Sequence, residues 1–278
     1  MAETQADAAK RLYNFRADNY ENSWHPSFAR TFTEMAGIQP GDQVLDLACG
    51  TGLITFDTAN RVGPSGKVIG VDVSEGMLGV AQAKKQQKGD RAANIELFLH
   101  DIADLDGLPD LKEKQFDVIT CASALVLLKD ANAALAVWTR YLRPGGKLIT
   151  DAPHPRNLMV GKLLETVGEQ IGVPVPYHRS WVKGQHSLKE ALENAGLVVE
   201  REEFVEQTRL GTQYFGIDEA EDRFVSQLMT ESGRNFRKPT EVREKALEAF
   251  KREWEKASVN GKVEDVDGVF VAVARKQH

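Results

Sequence analysis

Short apolar runs alternate with helical patterns along most of this chain. Runs at 43–47, 67–72, 95–99, 116–120, 146–151, 198–203 and 268–274 have the length and the apolar content of buried strands. Helical patterns fill the gaps at 53–62, 77–87, 131–141 and 187–195, the last stopped by Gly196 as a C-terminal cap. The alternation predicts an α/β fold: a Rossmann-like, doubly wound, seven-stranded, mostly parallel sheet with helices on both faces. Three stretches exceed that minimum and read as additions, namely an N-terminal lid over 1–36, an insertion at 152–186 inside a core of 37–203, and a helical cap over 204–267. Residues 268–278 then supply the final core strand and tail.

The additions have patterns of their own. Leu12, Phe15, Tyr20, Trp24, Phe28, Phe32 and Met35 recur at threes, fours and fives, which is first of all a packing stripe. Between the last two strands, Phe224, Val225, Leu228 and Met229 form one apolar face, and Val242, Ala246, Leu247, Phe250 and Trp254 form another on a charged helix. Two such helices must bury their stripes on a substrate cleft or on a second subunit, so a monomer and a homodimer both remain open. Sixty residues between two strands far exceeds the usual connection of ~4–6 residues.

The candidate chemistry begins in the first strand. Val44-Leu45-Asp46-Leu47 places an acid in an apolar run, and Ala48-Cys49-Gly50-Thr51-Gly52 turns the chain immediately afterwards. A buried carboxylate is heavily penalised unless a cation or hydrogen-bond donor meets it. The next strand ends in a second acid, Asp72, twenty residues past Gly52, the spacing at which nucleotide-binding folds grip a ribose diol. A dinucleotide fingerprint is disfavoured because its third small position is occupied by Thr55 and because it has no use for Asp46.

Taken together, these motifs resemble the class I S-adenosylmethionine-dependent methyltransferases, specifically a small-molecule branch similar to the quinone-biosynthesis enzymes. The resemblance covers about residues 40 to 205 and the last strand. Asp46-x-Ala48-x-Gly50-x-Gly52 matches the first motif, with Ala48 replacing a glycine. Ser74-Glu75-Gly76-Met77-Leu78, His100-Asp101-Ile102, Phe116 to Cys121 and Leu142-Arg143-Pro144-Gly145-Gly146-Lys147 follow in register. The resemblance implies S-adenosyl-L-methionine as cofactor, held by Asp46, Ala48, Gly50, Thr51, Gly52, Asp72, Met77, Asp101, Ile102 and Cys121. It also implies that Tyr20 closes over the cofactor and faces its sulfonium in a binding and catalytic role. Trp24, His154, Tyr177 and His178 are the expected substrate residues, with His154 at the lip of the fifth strand as the base for a hydroxyl acceptor. Leu125-Val126-Leu127-Leu128 promises an apolar floor, hence a hydrophobic small molecule methylated on O, N, S or C. The alternative is a methyltransferase-like fold that keeps the cofactor for a rearrangement or cyclisation, or as a binding partner for other enzymes.

Composition narrows the field further. A net charge of −6 removes the electrostatic attraction on which nucleic-acid binding depends, so no nucleic-acid partner is expected. No run approaches the ~18–20 apolar residues that span a bilayer, and the first residues lack a signal region, so a cytoplasmic location without membrane insertion is expected. Cys49 and Cys121 fall at the ends of central strands and read as reduced core thiols, and no metal is expected.

Overall fold

The computed structural model describes residues 3–208 and 210–277. Met1 and Ala2 of the expected lid, Arg209 of the expected cap and His278 at the end of the tail lie outside it. In chain order the helices are α1 (Gln5–Arg16), α2 (His25–Ala36), α3 (Leu53–Val62), α4 (Glu75–Lys88), α5 (Ala131–Arg140), α6 (Met159–Ile171), α7 (Ser187–Asn194), α8 (Ala220–Leu228) and α9 (Thr240–Ala257). The strands are β1 (Gln43–Leu47), β2 (Lys67–Asp72), β3 (Ile95–Leu99), β4 (Phe116–Cys121), β5 (Leu142–Pro153), β6 (Leu197–Val205), β7 (Gln213–Gly216), β8 (Lys262–Asp265) and β9 (Val269–Lys276). Seven of them form one sheet in the order β3-β2-β1-β4-β5-β9-β6. The first five run parallel, and β9 lies antiparallel between β5 and β6. The Rossmann-like sheet expected from the alternating pattern is therefore present. Its strand order reverses between β1 and β4, which opens a crevice at their C-terminal ends where ligands bind in such folds.

Neighbouring residues on each strand go to opposite faces, which is why the central runs are apolar without a break. Leu45, Ile119 and Leu148 pack on one side with Trp138 of α5. Val44, Val118 and Ile149 pack on the other with Phe28 and Phe32 of α2. Phe32 and Trp138 have no exposed surface. The N-terminal segment is thus two different things: α2 belongs mainly to the sheet's own core and meets the crevice with its first turns, and α1 and the turn after it lie over the crevice. Phe15, expected in the packing stripe, is 72% exposed, because α1 ends at Arg16 and the following turn re-aims the stripe.

The two outer additions form one unit. Met159, Leu163, Leu164 and Val167 of α6 share an apolar cluster with Phe224 and Leu228 of α8 and with Ala246, Phe250 and Trp254 of α9. The insertion and the cap therefore bury each other's stripes, separately from the two sheet clusters. A short ribbon of β7 and β8, absent from the sequence expectation, closes this unit, and Trp254 Nε1 donates to Gly216 O at 3.1 Å. Inside it, Glu165 and Arg179 form a buried ion pair of 2.7 Å. Met229 and Val225, expected on the apolar face, are exposed, since α8 stops at Leu228 and its buried face is Ala220, Phe224 and Leu228. Among the described residues, no helix is long and apolar enough to cross a membrane.

Candidate active site

Leaving β1, the backbone makes a tight sequence of left-handed residues: Ala48 at φ 53°, Gly50 at φ 56° and Gly52 at φ 85°. Glycine fits the last two without strain, and at Gly52 a Cβ would also meet the Phe56 ring at 2.6 Å. Ala48 adopts the same region at a cost of roughly 1–2 kcal/mol. The turn exists to bring the backbone of Gly50 against a cavity while α3 starts at Leu53.

Two carboxylates frame this turn. Asp72 ends β2, with Oδ2 accepting from Gly50 N and Oδ1 from Ser74 N, both at 2.8 Å, so it ties the turn to the start of α4. Burial raises its pKa. Asp46 is fully buried in β1; its oxygens accept from Thr55 Oγ1 at 2.5 Å and Thr120 Oγ1 at 2.8 Å. Burial pushes its pKa up to about 6, against the pull of those two hydroxyls. A cation brought beside it would favour the ionised form.

A cavity of about 260 Å³ opens between Asp72, Met77, Asp101 and Ile102 on one side and Tyr13 and Tyr20 on the other. Only one Asp101 oxygen is engaged among the described residues, accepting from Ala103 N at 2.9 Å. Ile102 is set by Trp138, whose Nε1 donates to the Ile102 carbonyl at 2.8 Å. A smaller cavity of about 40 Å³ continues past Tyr20, Ala48, Gly50, Ala122 and Ser123 to Asp46, Thr51 and His25. The two cavities thus share five walls, with Asp72 in the larger and Asp46 in the smaller.

The lid is tied down at both ends. Asn14 Oδ1 accepts from Ser74 Oγ at 2.7 Å and from Gly76 N at 2.9 Å, docking α1 on the turn that follows Asp72. Glu21 accepts from Thr51 Oγ1 at 2.6 Å and pairs with Lys84, which also donates to Thr51 O at 3.0 Å. On its outer side α1 meets the cap, through Arg11 with Glu231 and Asn235 Nδ2 with Glu3 at 2.6 Å. The cap accordingly braces the lid and does not itself wall either cavity.

Of the residues expected at the site, Tyr20, Asp46, Ala48, Gly50, Thr51, Asp72, Met77, Asp101 and Ile102 come together around this cleft. Gly52 supports the turn from behind. Cys121 does not reach the cleft: its side chain is fully buried, and the residues after it, Ala122 and Ser123, form the wall instead. Trp24 turns away to stack on His25, with ring centroids 3.9 Å apart.

His154 does not face the cleft either. Its ring packs against Phe204 and Phe270 at 6.1 and 5.8 Å, and its Nδ1 accepts from Arg156 N at 3.1 Å. The chain turns at Pro153 and carries His154 toward the antiparallel edge of the sheet, away from β1 and β4. Tyr177 lies under Arg179, at 5.3 Å, and His178 contacts Ser180 with its ring; neither lines the two cavities.

Several residues at the cleft carried no sequence signal. His25 lines it, its ring tilted against that of Tyr20 with centroids 3.9 Å apart and Nδ1 2.6 Å from Ser23 Oγ. Burial, with the Arg16 charge adding to it, pulls its pKa down to about 4, so it is neutral at physiological pH. Ser123 sits at φ 56° and lines both cavities, and its N–H donates to Asp151 Oδ1 at 2.5 Å. Burial raises the Asp151 pKa to about 7. Tyr13 enters from α1. His25 and Tyr13 owe their place to the fold-back of residues 17–24, which no spacing rule announces, whereas Ser123 follows directly on β4.

The geometry has the form of a nucleoside cleft, and comparison with known proteins gives it a family. Residues 38–196 match the family described as Methyltransferase domain. The chain belongs to that family and is an S-adenosylmethionine-dependent methyltransferase. It is 32% identical over 199 residues to the ubiquinone/menaquinone biosynthesis C-methyltransferase of Teredinibacter turnerae, covering 66% of this chain and 78% of that protein. It is 29% identical to the nocamycin O-methyltransferase of Saccharothrix syringae over 63% of this chain and 65% of that one, just under two thirds of its length. In fold it is similar to the magnesium protoporphyrin IX methyltransferase of Synechocystis PCC 6803 crystallised with SAH, with a TM-score of 0.53 at 17% identity, covering 91% of this chain and 84% of that chain.

Proposed function

We propose that the cleft beneath α1 holds S-adenosylmethionine and that the acceptor is an apolar small molecule methylated on carbon or oxygen. The observation that supports this reading is that two cavities adjoin across the shared walls Tyr20, Ala48, Gly50, Ala122 and Ser123. The larger offers a carboxylate, Asp72, beside the apolar side chains of Met77 and Ile102, which suits a ribose next to a flat base. The smaller ends at Asp46, which suits an ammonium group. When bound, the cofactor supplies a methyl on a sulfonium, already activated for attack.

The chain's own residues then have three tasks. Tyr20 and the lid exclude water and place an aromatic face toward a cation. Gly50, Asp72 and Ile102 fix the orientation of the cofactor. Leu127 and Leu128 present an apolar wall to the acceptor, in keeping with the expected floor. His25, neutral in the cleft, replaces His154 as the histidine able to accept a hydrogen bond there. One relative is a C-methyltransferase and another an O-methyltransferase, which supports a choice between those two atoms. The net charge of −6 supports a small-molecule acceptor over a nucleic acid.

The test is incubation with methyl-radiolabelled S-adenosylmethionine and an apolar metabolite extract, followed by counting of organic-soluble and acid-precipitable fractions. Label in the organic fraction, matched by S-adenosylhomocysteine, is the expected result. Label confined to precipitated macromolecules, or an acceptor that rearranges while the cofactor remains intact, overturns it.

A further inference from the structure

Asp151 is a buried acid without a cation. It is 4% exposed, and among the described residues no basic side chain forms an ion pair with it. Its Oδ1 accepts from Ser123 N at 2.5 Å. The preceding residue, Thr150, pairs with Cys121, the last residue of β4, so Asp151 stands where β4 leaves the sheet and becomes the wall of the cleft. On that wall Ser123 adopts φ 56°, a conformation that a non-glycine residue keeps only when its surroundings hold it. Holding one N–H is a task for any acceptor, however, and an uncompensated buried carboxyl is a costly way to do it. The acid calls for a second task.

The shared walls indicate that task. With the ribose at Asp72 in the larger cavity and the ammonium at Asp46 in the smaller, the sulfur that joins them falls at the walls common to both, Ser123 among them. Asp151 sits directly behind Ser123. We infer that Asp151 is a specificity-determining residue, which favours the sulfonium of S-adenosylmethionine over the neutral thioether of S-adenosylhomocysteine by placing a carboxylate one peptide group behind the junction of the two cavities. This rests on the reading of the cleft as the cofactor site, and it adds how the cleft tells the methyl donor from its product. The nucleoside and amino-acid ends are identical in the two molecules, so Asp72 and Asp46 meet the same groups in both. Only the sulfur differs, and a positive charge near a weakly screened carboxylate stabilises its ionised form.

Burial raises the Asp151 pKa to about 7, and no neighbouring charge offsets it. The groups around it do not titrate in that range. β4 supplies the Cys121 thiol, which burial pushes upward, and β9 supplies Val271 opposite. Across the larger cavity the lid supplies Tyr13 and Tyr20, whose phenols burial keeps neutral. In the smaller cavity His25 is already neutral, and Asp46 meets the ammonium common to both ligands. A sulfonium lowers the Asp151 pKa and expels its proton, so preference for S-adenosylmethionine must rise with pH as Asp151 ionises and level off above.

The test is calorimetric titration of the full chain with each of the two ligands from about pH 5.5 to 8.5. In wild type the ratio of affinities, S-adenosylmethionine over S-adenosylhomocysteine, is expected to rise on the order of tenfold across that range. In Asp151→Asn, whose amide oxygen can still accept from Ser123 N, the ratio should stay flat at the wild-type low-pH level. Near neutral pH, buffers of different ionisation enthalpy should show more protons released by S-adenosylmethionine than by S-adenosylhomocysteine in wild type, and equal numbers in the variant. A thermal midpoint checks that the variant is folded, and the wild-type pH dependence is read without any variant. A wild-type ratio that does not change with pH overturns the inference. So does an Asp151→Asn protein that weakens both ligands equally, which would leave the carboxyl only the holding of Ser123. Failure of wild type to bind either ligand would overturn the cofactor reading itself and this inference with it, a result distinct from binding both with a constant ratio.

Discussion

Replacing Asp72 with alanine should weaken S-adenosylmethionine binding about 10- to 150-fold, or ~1.5–3 kcal/mol, the range for a lost charged hydrogen-bond acceptor. Two effects combine. The carboxylate is the polar group at the nucleoside end of the larger cavity, and it also fastens Gly50 N and Ser74 N to β2. Without it, the left-handed turn at Gly50 and the first turn of α4 lose a common anchor. Ser74 still caps α4 through Met77 N at 3.2 Å, so the helix should persist and the variant should remain folded. Calorimetry measures the affinity, and circular dichroism checks the fold. An unchanged dissociation constant in a folded Asp72→Ala protein would place the ribose elsewhere.

Trp254→Ala should destabilise the cap by about 3–5 kcal/mol, the usual cost of deleting a large buried aromatic. Trp254 has no exposed surface, and its ring lies against Phe250 at 5.7 Å and Phe215 at 6.3 Å. The truncation also leaves Gly216 O without its indole donor. Because this cluster is separate from the two sheet clusters, the loss should show as an earlier unfolding step in urea, with the sheet's own transition little changed. Trp254→Phe preserves the stacking and should cost less. Cofactor affinity should fall only modestly, through the loosened brace between Arg11 and Glu231. A single transition at the wild-type midpoint would contradict this division of the core.

The sheet was legible because its signals are local. Each central strand is a short apolar run closed by a turn residue, and α3 begins and ends where its pattern does. The cofactor motifs were legible for the same reason: Asp46, Gly50 and Asp72 owe their positions to strands next to them in sequence. Residues that reach the cleft by tertiary folding were not. His25 and Tyr13 arrive only because residues 17–24 fold back over Gly50, and the contacts that enforce this join Asn14 to Ser74 and Glu21 to Thr51. His154 looked catalytic because it follows β5 directly. Phe204 and Phe270, from strands more than forty residues further on, turn that corner into packing. The cap was legible as two amphipathic helices, but its partner α6 was not, since a stripe shows that it must be buried and not by what.

The central claim, that this cleft is built for S-adenosylmethionine, is tested most directly by calorimetric titration of the wild-type chain with S-adenosylmethionine, S-adenosylhomocysteine and NAD. The account predicts one site per chain for each of the first two ligands and negligible heat with NAD. Binding of NAD as tight as that of S-adenosylmethionine would contradict it.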